Sequence, residues 1–278
     1  MVNGDVSFGS STSTYGEIYS AGNVDHQGTA YGSIYAEGNI TGSPTMMNGA
    51  QKYDHNTIRT VIKNPINFSS FLTFLSDIQR AAQTGGVYLN DASKAGWRLI
   101  FSSSGTFTAQ SCTKTNGDDV AKTSPTCGSA TTYTVPANGA VYTGQTAIVS
   151  GTVNGRVTVA SANNIVIANT ISYAVSSDDV LGLNAQNDVV IAEYTPSTLA
   201  WRAAVLAING TWKTWSQSGS HSTMNLTGSA ATASGGSMTM FNTRNYLYDD
   251  TLQYLSPPWY PTVEDAYTIT IFRELPAS

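Results

Sequence analysis

The chain has 278 residues, enough for one large domain or two ordinary ones. Only 11% of them are charged, the formal net charge is −5, and no run of Lys or Arg occurs, which argues against non-specific phosphate binding driven by counterion release. Hydrophobic residues reach 41%, too many for a disordered tract, and a surface of hydroxyls and amides suits an extracellular all-β protein better than a cytosolic enzyme.

The first organised stretch repeats itself. Tyr15-Gly16-Glu17-Ile18-Tyr19-Ser20-Ala21-Gly22-Asn23-Val24 returns, at an offset of 16, as Tyr31-Gly32-Ser33-Ile34-Tyr35-Ala36-Glu37-Gly38-Asn39-Ile40. A partial earlier copy, Gly4-Asp5-Val6-Ser7, matches Gly16-Glu17-Ile18-Tyr19. A fixed short period marks stacked units that cover one another's apolar faces. The unit is too short for a pair of helices, so residues 1–60 are expected to form coils of a β-solenoid, similar to a parallel β-helix. Gly22-Asn23 and Gly38-Asn39 are expected to turn the chain because Gly and Asn tolerate positive φ. Ile18, Val24, Ile34 and Ile40 then point inward. Two unrelated hairpins are the alternative.

Residues 61–86 change period. Phe71, Leu72, Phe74, Leu75, Ile78 and Ala82 fall at helical spacing, with Ser69 or Ser70 as N-cap, Gly85-Gly86 as the stop and Pro65 safely upstream. The apolar stripe of this helix predicts packing on the side or an open end of the solenoid, where edge strands need cover; a peptide-binding helix is the other reading. Residues 87–145 predict an excursion of short strands, Val87–Leu89 and Trp97–Phe101 among them, and polar turns around Cys112 and Cys127. A disulfide closing that loop would stabilise by about 3 kcal/mol. Two free thiols are the alternative; zinc needs more ligands than these, and the three histidines are scattered, so no metal or cofactor is expected.

Residues 146–245 predict the main solenoid rungs. Val153, Val157 and Val159 alternate with polar residues, Asn163-Asn164 turns into Ile165-Val166-Ile167, and Asn187-Asp188 turns into Val189-Val190-Ile191 at an offset of 24. Ala203–Ile208 is a further rung, followed by the tight-turn dipeptide Asn209-Gly210. In residues 246–278, Tyr246, Tyr248, Tyr254, Trp259 and Tyr260 gather around Pro257-Pro258 as an extended strap, and Tyr267–Ile271 alternates as a closing strand.

β-Helices host polysaccharide lyases and hydrolases, which need converging carboxylates; Asp178, Asp179 and Asp188, with Arg202, are the candidates, although Asp is also an ordinary turn residue. No Gly-x-Ser-x-Gly or phosphate loop occurs, and Ser220-His221-Ser222 has no marked Asp partner. A non-enzyme with no catalytic residues is therefore expected. For binding, Trp201, Arg202, Trp212, Lys213, Trp215, Trp259 and Tyr260 put aromatic rings beside cations, an arrangement that stacks nucleobases or sugars; the bland alternative is a cap sealing the solenoid's end.

Several of these segments, in order, resemble large type IV pilin-like proteins, the minor pilins: Gly151-Thr152-Val153, Asn163 to Ile167, Leu181-Gly182-Leu183-Asn184-Ala185-Gln186-Asn187-Asp188-Val189, Tyr248-Asp249, Pro257-Pro258-Trp259-Tyr260-Pro261 and Phe272-Arg273-Glu274. The repeats between Tyr15 and Ile40 are similar to the same proteins. The resemblance implies a β-solenoid domain displayed outside the cell on a pilus, with other pilins and DNA during natural transformation as partners; surface glycans are the further candidate partner that the aromatic rings suggest. A minor pilin has an N-terminal hydrophobic helix and this sequence shows no run of 18 apolar residues and no signal peptide. The expectation is accordingly a soluble fragment that makes no membrane contact. A carbohydrate-active β-helix enzyme and an architectural adhesin or spacer are the rival functions.

Overall fold

The computed structural model describes residues 4–54 and 70–261, and over them the chain is mostly β with one α-helix. No helix among the described residues is long and apolar enough to cross a membrane. The expected closing strand Tyr267–Ile271, the Phe272-Arg273-Glu274 motif, Pro65 and Ser69 lie outside the described residues.

The N-terminal region is built from strands of two or three residues. A first set, β1 (Val6–Phe8), β2 (Thr12–Thr14) and β3 (Ile18–Ser20), is followed by β4 (Val24–His26), β5 (Thr29–Ala30) and β6 (Ile34–Ala36), then by β7 (Ile40–Thr41), β8 (Thr45–Met46) and β9 (Lys52–Tyr53). Strands this short do not stand alone. Each pairs in parallel with its counterpart in the next set, as β1–β4–β7, β2–β5–β8 and β3–β6–β9. The pairings Ile18↔Ile34, Tyr19↔Tyr35 and Val24↔Ile40 keep the repeat's offset of 16, and parallel pairing leaves no room for two hairpins. Ile18, Val24, Ala30, Ile34 and Ala36 are buried in a small core, and Ile40 packs against it half-covered.

Two local expectations change. Gly4-Asp5-Val6 stacks on Gly22-Asn23-Val24, not on Gly16-Glu17-Ile18, since Val6 pairs with Val24. Neither Gly22 nor Gly38 has positive φ; what they supply is room. A Cβ on Gly22 would lie 2.4 Å from Asp5 Oδ1, and one on Gly38 would lie 2.5 Å from Asn23 Oδ1. Those side-chain oxygens accept the backbone N–H of Asn23 (2.7 Å) and Asn39 (2.9 Å), so an Asp5–Asn23–Asn39 ladder climbs this corner.

Helix α1 (Phe71–Gly85) buries Phe71, Leu75, Ile78 and Ala82, residues spaced to share one face, against Ala140, Tyr142, Ala160, Leu206 and Ile208. It therefore lies along the side of the stack. Next come β10 (Val87–Leu89), β11 (Gly96–Ser102), β12 (Thr106–Thr113), β13 (Thr126–Cys127) and β14 (Thr131–Thr134). β12 pairs antiparallel with β11, and β13 and β14 antiparallel with β12. Cys112 and Cys127 face each other across β12 and β13 and form a disulfide of 1.99 Å. The excursion proper is thus β12–β14, narrower than residues 87–145.

The remaining strands are β15 (Ala140–Thr143), β16 (Thr146–Val153), β17 (Arg156–Ser161), β18 (Ile165–Tyr173), β19 (Val180–Ala185), β20 (Val189–Ile191), β21 (Thr198–Ala207), β22 (Trp212–Thr214), β23 (His221–Thr232) and β24 (Phe241–Tyr248). All pair in parallel, in the series β10–β15–β17–β19–β21–β23 and β11–β16–β18–β20–β22, with β21–β23–β24 on a third side. Ile165 pairs with Val189, the offset read from the Asn turns. Asn164 Oδ1 accepts from Asp188 N (3.1 Å) and Asp188 Oδ1 from Thr211 N (2.9 Å), a second corner ladder. Asn209-Gly210 continues this corner instead of making a hairpin, because β21 and β22 pair with earlier strands and not with each other.

β24 ends at Tyr248, so Tyr246 and Tyr248 belong to the last strand among the described residues and not to the strap. That strand pairs in parallel with β2, matching Thr12 to Arg244 and Thr14 to Tyr246. The N-terminal strands therefore extend the β-stack from its C-terminal end. The strap itself crosses the helix side: Arg156 Nη2 donates to Ser256 O (3.2 Å), Thr158 Oγ1 to Pro258 O, and Trp259 Nε1 to Asn138 O (2.7 Å).

Candidate binding site

The seven residues nominated from the sequence do not form one platform. Trp201 lies on β21, 2% exposed in the core, with its ring edge-on to Trp212 at 5.7 Å. Trp212 in turn meets Tyr246 edge-on at 5.5 Å. Arg202 holds Asp249 through Nε (2.6 Å) and Nη2 (2.7 Å), with its guanidinium 4.5 Å from the Tyr173 ring centre. Burial of Asp249 would raise its pKa, but hydrogen bonds from Arg202 and Thr251 outweigh burial and hold the carboxyl below the usual range. Lys213 Nζ is 2.6 Å from Asp188 Oδ2. Trp215 is exposed, and Trp259 and Tyr260 sit in the strap on the helix side. Both cations of the nominated cluster are thus spent on carboxylates.

The acidic trio is equally dispersed. Asp179 Oδ1 and Oδ2 accept the backbone N–H of Gly155 and Val175, each at 2.6 Å, and Asp178 accepts from Ser177 Oγ at 3.0 Å. Asp188 lies beyond the other end of β19, about 20 Å away at the usual rise of a six-residue strand. His221 Nδ1 meets Ser220 Oγ at 2.9 Å, but its Nε2 faces the Thr195 carbonyl and not a carboxylate. Among the described residues no three His, Cys, Asp or Glu side chains gather as a metal site.

A cavity of about 1120 Å³ opens where the two regions join. Its cause is a change in the length of chain per turn. One turn carries the chain from Ala204 to its partner Ser229, the next from Thr223 to Thr243. Beyond the joint the steps are shorter again, from Val6 to Val24 and from Ser13 to Thr29. A wide turn set on a narrow one cannot be filled by the same side chains. One inward line shows the change in chemistry: Leu199 and Trp201 stack on Met224 and Leu226, then on Arg244 and Tyr246, then on Thr12 and Thr14. The interior passes from apolar to polar at the joint.

Rings of Phe8, Trp212 and Tyr246 line the cavity, with hydroxyls of Thr12, Thr14, Ser229, Thr232, Ser237 and Thr239. Burial pushes the Tyr246 phenol up, opposed by the charge of Arg244. Arg244, 9% exposed, donates from Nη1 to Met238 O (3.2 Å) and from Nη2 to Ser11 Oγ (2.8 Å). Its Nε, like the Trp212 indole nitrogen, has no partner. Next to the cavity, buried His26 accepts from Gly28 N at Nδ1 (3.1 Å), leaving Nε2 to donate to Thr14 Oγ1 (3.2 Å). Burial lowers the His26 pKa to about 4, against a smaller upward pull from Asp25.

Of these cavity groups only Trp212 was nominated from the sequence. Arg244 carried little signal, a cation two places before Tyr246 in a strand that is half exposed, and placing it inward requires knowing that it pairs with buried Met224. Comparison of the chain with family models, with curated proteins and with solved structures gives no match.

Proposed function

We propose that this chain is an extracellular β-solenoid domain of a type IV pilus-associated minor pilin, and that it presents a binding site without catalysing a reaction. The ordered motifs from Gly151 to Pro261 support the pilin assignment. The solenoid reading is supported by the parallel registers, which recur turn after turn on three sides. The disulfide and the sparse charge suit an oxidising, extracellular setting.

The observation that carries the binding role is the cavity at the joint, walled by rings and hydroxyls and lined by none of Asp178, Asp179 and Asp188. Other pilins, surface glycans and DNA are the partners such a domain meets. Arg202 and Lys213 each face an aspartate, which counts against a phosphate-binding track for DNA.

The test combines three measurements on the purified chain: retention by pilin subunits, glycan binding, and fluorescence anisotropy with single- and double-stranded DNA across a salt series. Retention and glycan binding without turnover are expected, with DNA affinity weak and shallow in salt. Cleavage of a bound polysaccharide would sink the non-catalytic reading, and failure to engage pilins or any glycan would sink the display reading.

A further inference from the structure

We propose that the joint cavity takes a saccharide bearing one carboxylate, seated on Arg244. This deepens the binding role proposed above and rests on it. The starting point is a buried charge without its counterion. None of the ion pairs among the described residues includes Arg244, and its two hydrogen bonds go to a neutral carbonyl and a neutral hydroxyl. Arg202 shows the contrast: with 17% of its side chain exposed, it has Asp249 at 2.6 Å. A guanidinium removed from water and left unpaired is costly, and a ligand carboxylate would supply the missing anion through charge-assisted hydrogen bonds.

The rest of the wall narrows the ligand. Phe8, Trp212 and Tyr246 offer ring surfaces on which the C–H face of a sugar packs, and the threonine and serine hydroxyls between them exchange hydrogen bonds with sugar hydroxyls. The unpartnered indole N–H of Trp212 adds a donor. A polyanion is disfavoured. Arg244 is the single Lys or Arg in the wall, while Glu17 and Asp250 also line it, so a second negative charge would meet repulsion. A nucleic acid strand, with a phosphate per nucleotide, fits this wall poorly; an acidic sugar with one charge fits it well.

The test titrates the whole chain with a galacturonic acid trimer methyl-esterified at two of its three carboxylates, with its full methyl ester, and with a monosulfated galactose trimer. Isothermal calorimetry reads affinity, and the indole N–H resonances report contact with Trp212. The acid should bind at least tenfold tighter than the ester. Arg244→Gln should remove that preference while Arg244→Lys keeps part of it, and the Trp212 resonance should move. Equal affinity for acid and ester, no binding of either at millimolar concentration, or tighter binding of the sulfated sugar would each overturn the proposal. Because acid and ester are compared on the unaltered protein, an Arg244→Gln chain that fails to fold leaves the decision intact. Pilin retention with no acid preference would defeat this inference alone, whereas binding followed by cleavage of the trimer would defeat the non-catalytic reading alone.

Discussion

The N-terminal strands and the column from β10 to β24 share parallel pairing but hold together by different means. In the N-terminal region a turn as short as the step from Ile18 to Ile34 encloses little space. Ala30, Ala36, Ser20 and His26 occupy its inward positions, and the core has five buried apolar side chains. The column's longer turns, such as the step from Ala204 to Ser229, enclose Trp201 and Phe241, and its main core joins thirty buried apolar side chains. Apolar burial scales with what a turn can enclose. The narrow region makes up the difference with hydrogen-bond and ring ladders at its corners and on its outer face. Stability in one region should therefore respond to core deletions, and in the other to whatever disturbs the ladders.

The largest expected effect is in the column. Leu183→Ala, at a fully buried site between turns, should cost about 4 kcal/mol, because neighbours fixed above and below cannot collapse into the cavity. Ile34→Ala should cost about 2 kcal/mol and open residues 4–54 alone, since that small core can relax toward its open end. Denaturant melts with hydrogen exchange separate the two. Equal losses with one common unfolding step would mean that the β2–β24 pairing welds the regions into a single cooperative unit.

Acid should split the regions further. His26 sits neutral in the narrow core with its pKa lowered to about 4, against 6.5 when exposed. Between those values the unfolded chain binds a proton that the folded one refuses, so stability falls as pH drops from 6.5 toward 4 and is then flat. The loss is about 3 kcal/mol, by the free energy of a shift this size. Exchange at about pH 7, above this window, and at about pH 4.5, near its lower end, should show residues 4–54 loosening while β15–β21 stay protected. Replacing His26 with Gln should flatten the pH dependence; an unchanged slope would locate the responsible proton elsewhere.

The same contrast decides what could be read in the sequence. Where the turn is constant the period shows, and Ile18, Val24, Ile34 and Ile40 could be turned inward from spacing alone. In the column, one offset, Ile165 to Val189, was legible because Asn163-Asn164 and Asn187-Asp188 mark the same corner. Arg244 was not, because the turn shortens just before it, between the Ala204–Ser229 step and the Thr223–Thr243 step. The joint was hidden altogether: Thr12, near the start of the chain, pairs with Arg244, near its end, and no local pattern announces such a contact. Gly22 and Gly38 were noticed for the wrong physics, as left-handed turns instead of points of close approach.

That last difference is testable. Gly38→Ala should cost about 2 kcal/mol, since its new Cβ would press on Asn23 Oδ1 at 2.5 Å and on the Gly22 backbone at 2.9 Å. Gly4→Ala, with nothing within 4 Å, should stay within about 0.5 kcal/mol of the parent. If both cost the same, conformational freedom and not close approach is what these glycines provide, and the ladder at this corner matters less than its hydrogen bonds suggest.

The smallest effect tests the outer ladder. Tyr35 is stacked between Tyr19 and Tyr53, with ring centres 4.7 and 4.9 Å away and planes within 12° of parallel. Its hydroxyl also reaches Glu17 Oε1, at a long 3.4 Å. Stacked pairs across strands contribute about 0.5 to 1 kcal/mol each, while a long hydrogen bond in water contributes little. Tyr35→Ala should therefore cost about 1 kcal/mol, seen as faster exchange in β3, β6 and β9, and Tyr35→Phe should cost almost nothing. Should Tyr35→Phe cost as much as Tyr35→Ala, the hydroxyl row tied to Glu17 would be what holds this face. The narrow region would then rest on hydrogen bonds at its corners and on its face alike, and the rings would serve only as their mounts.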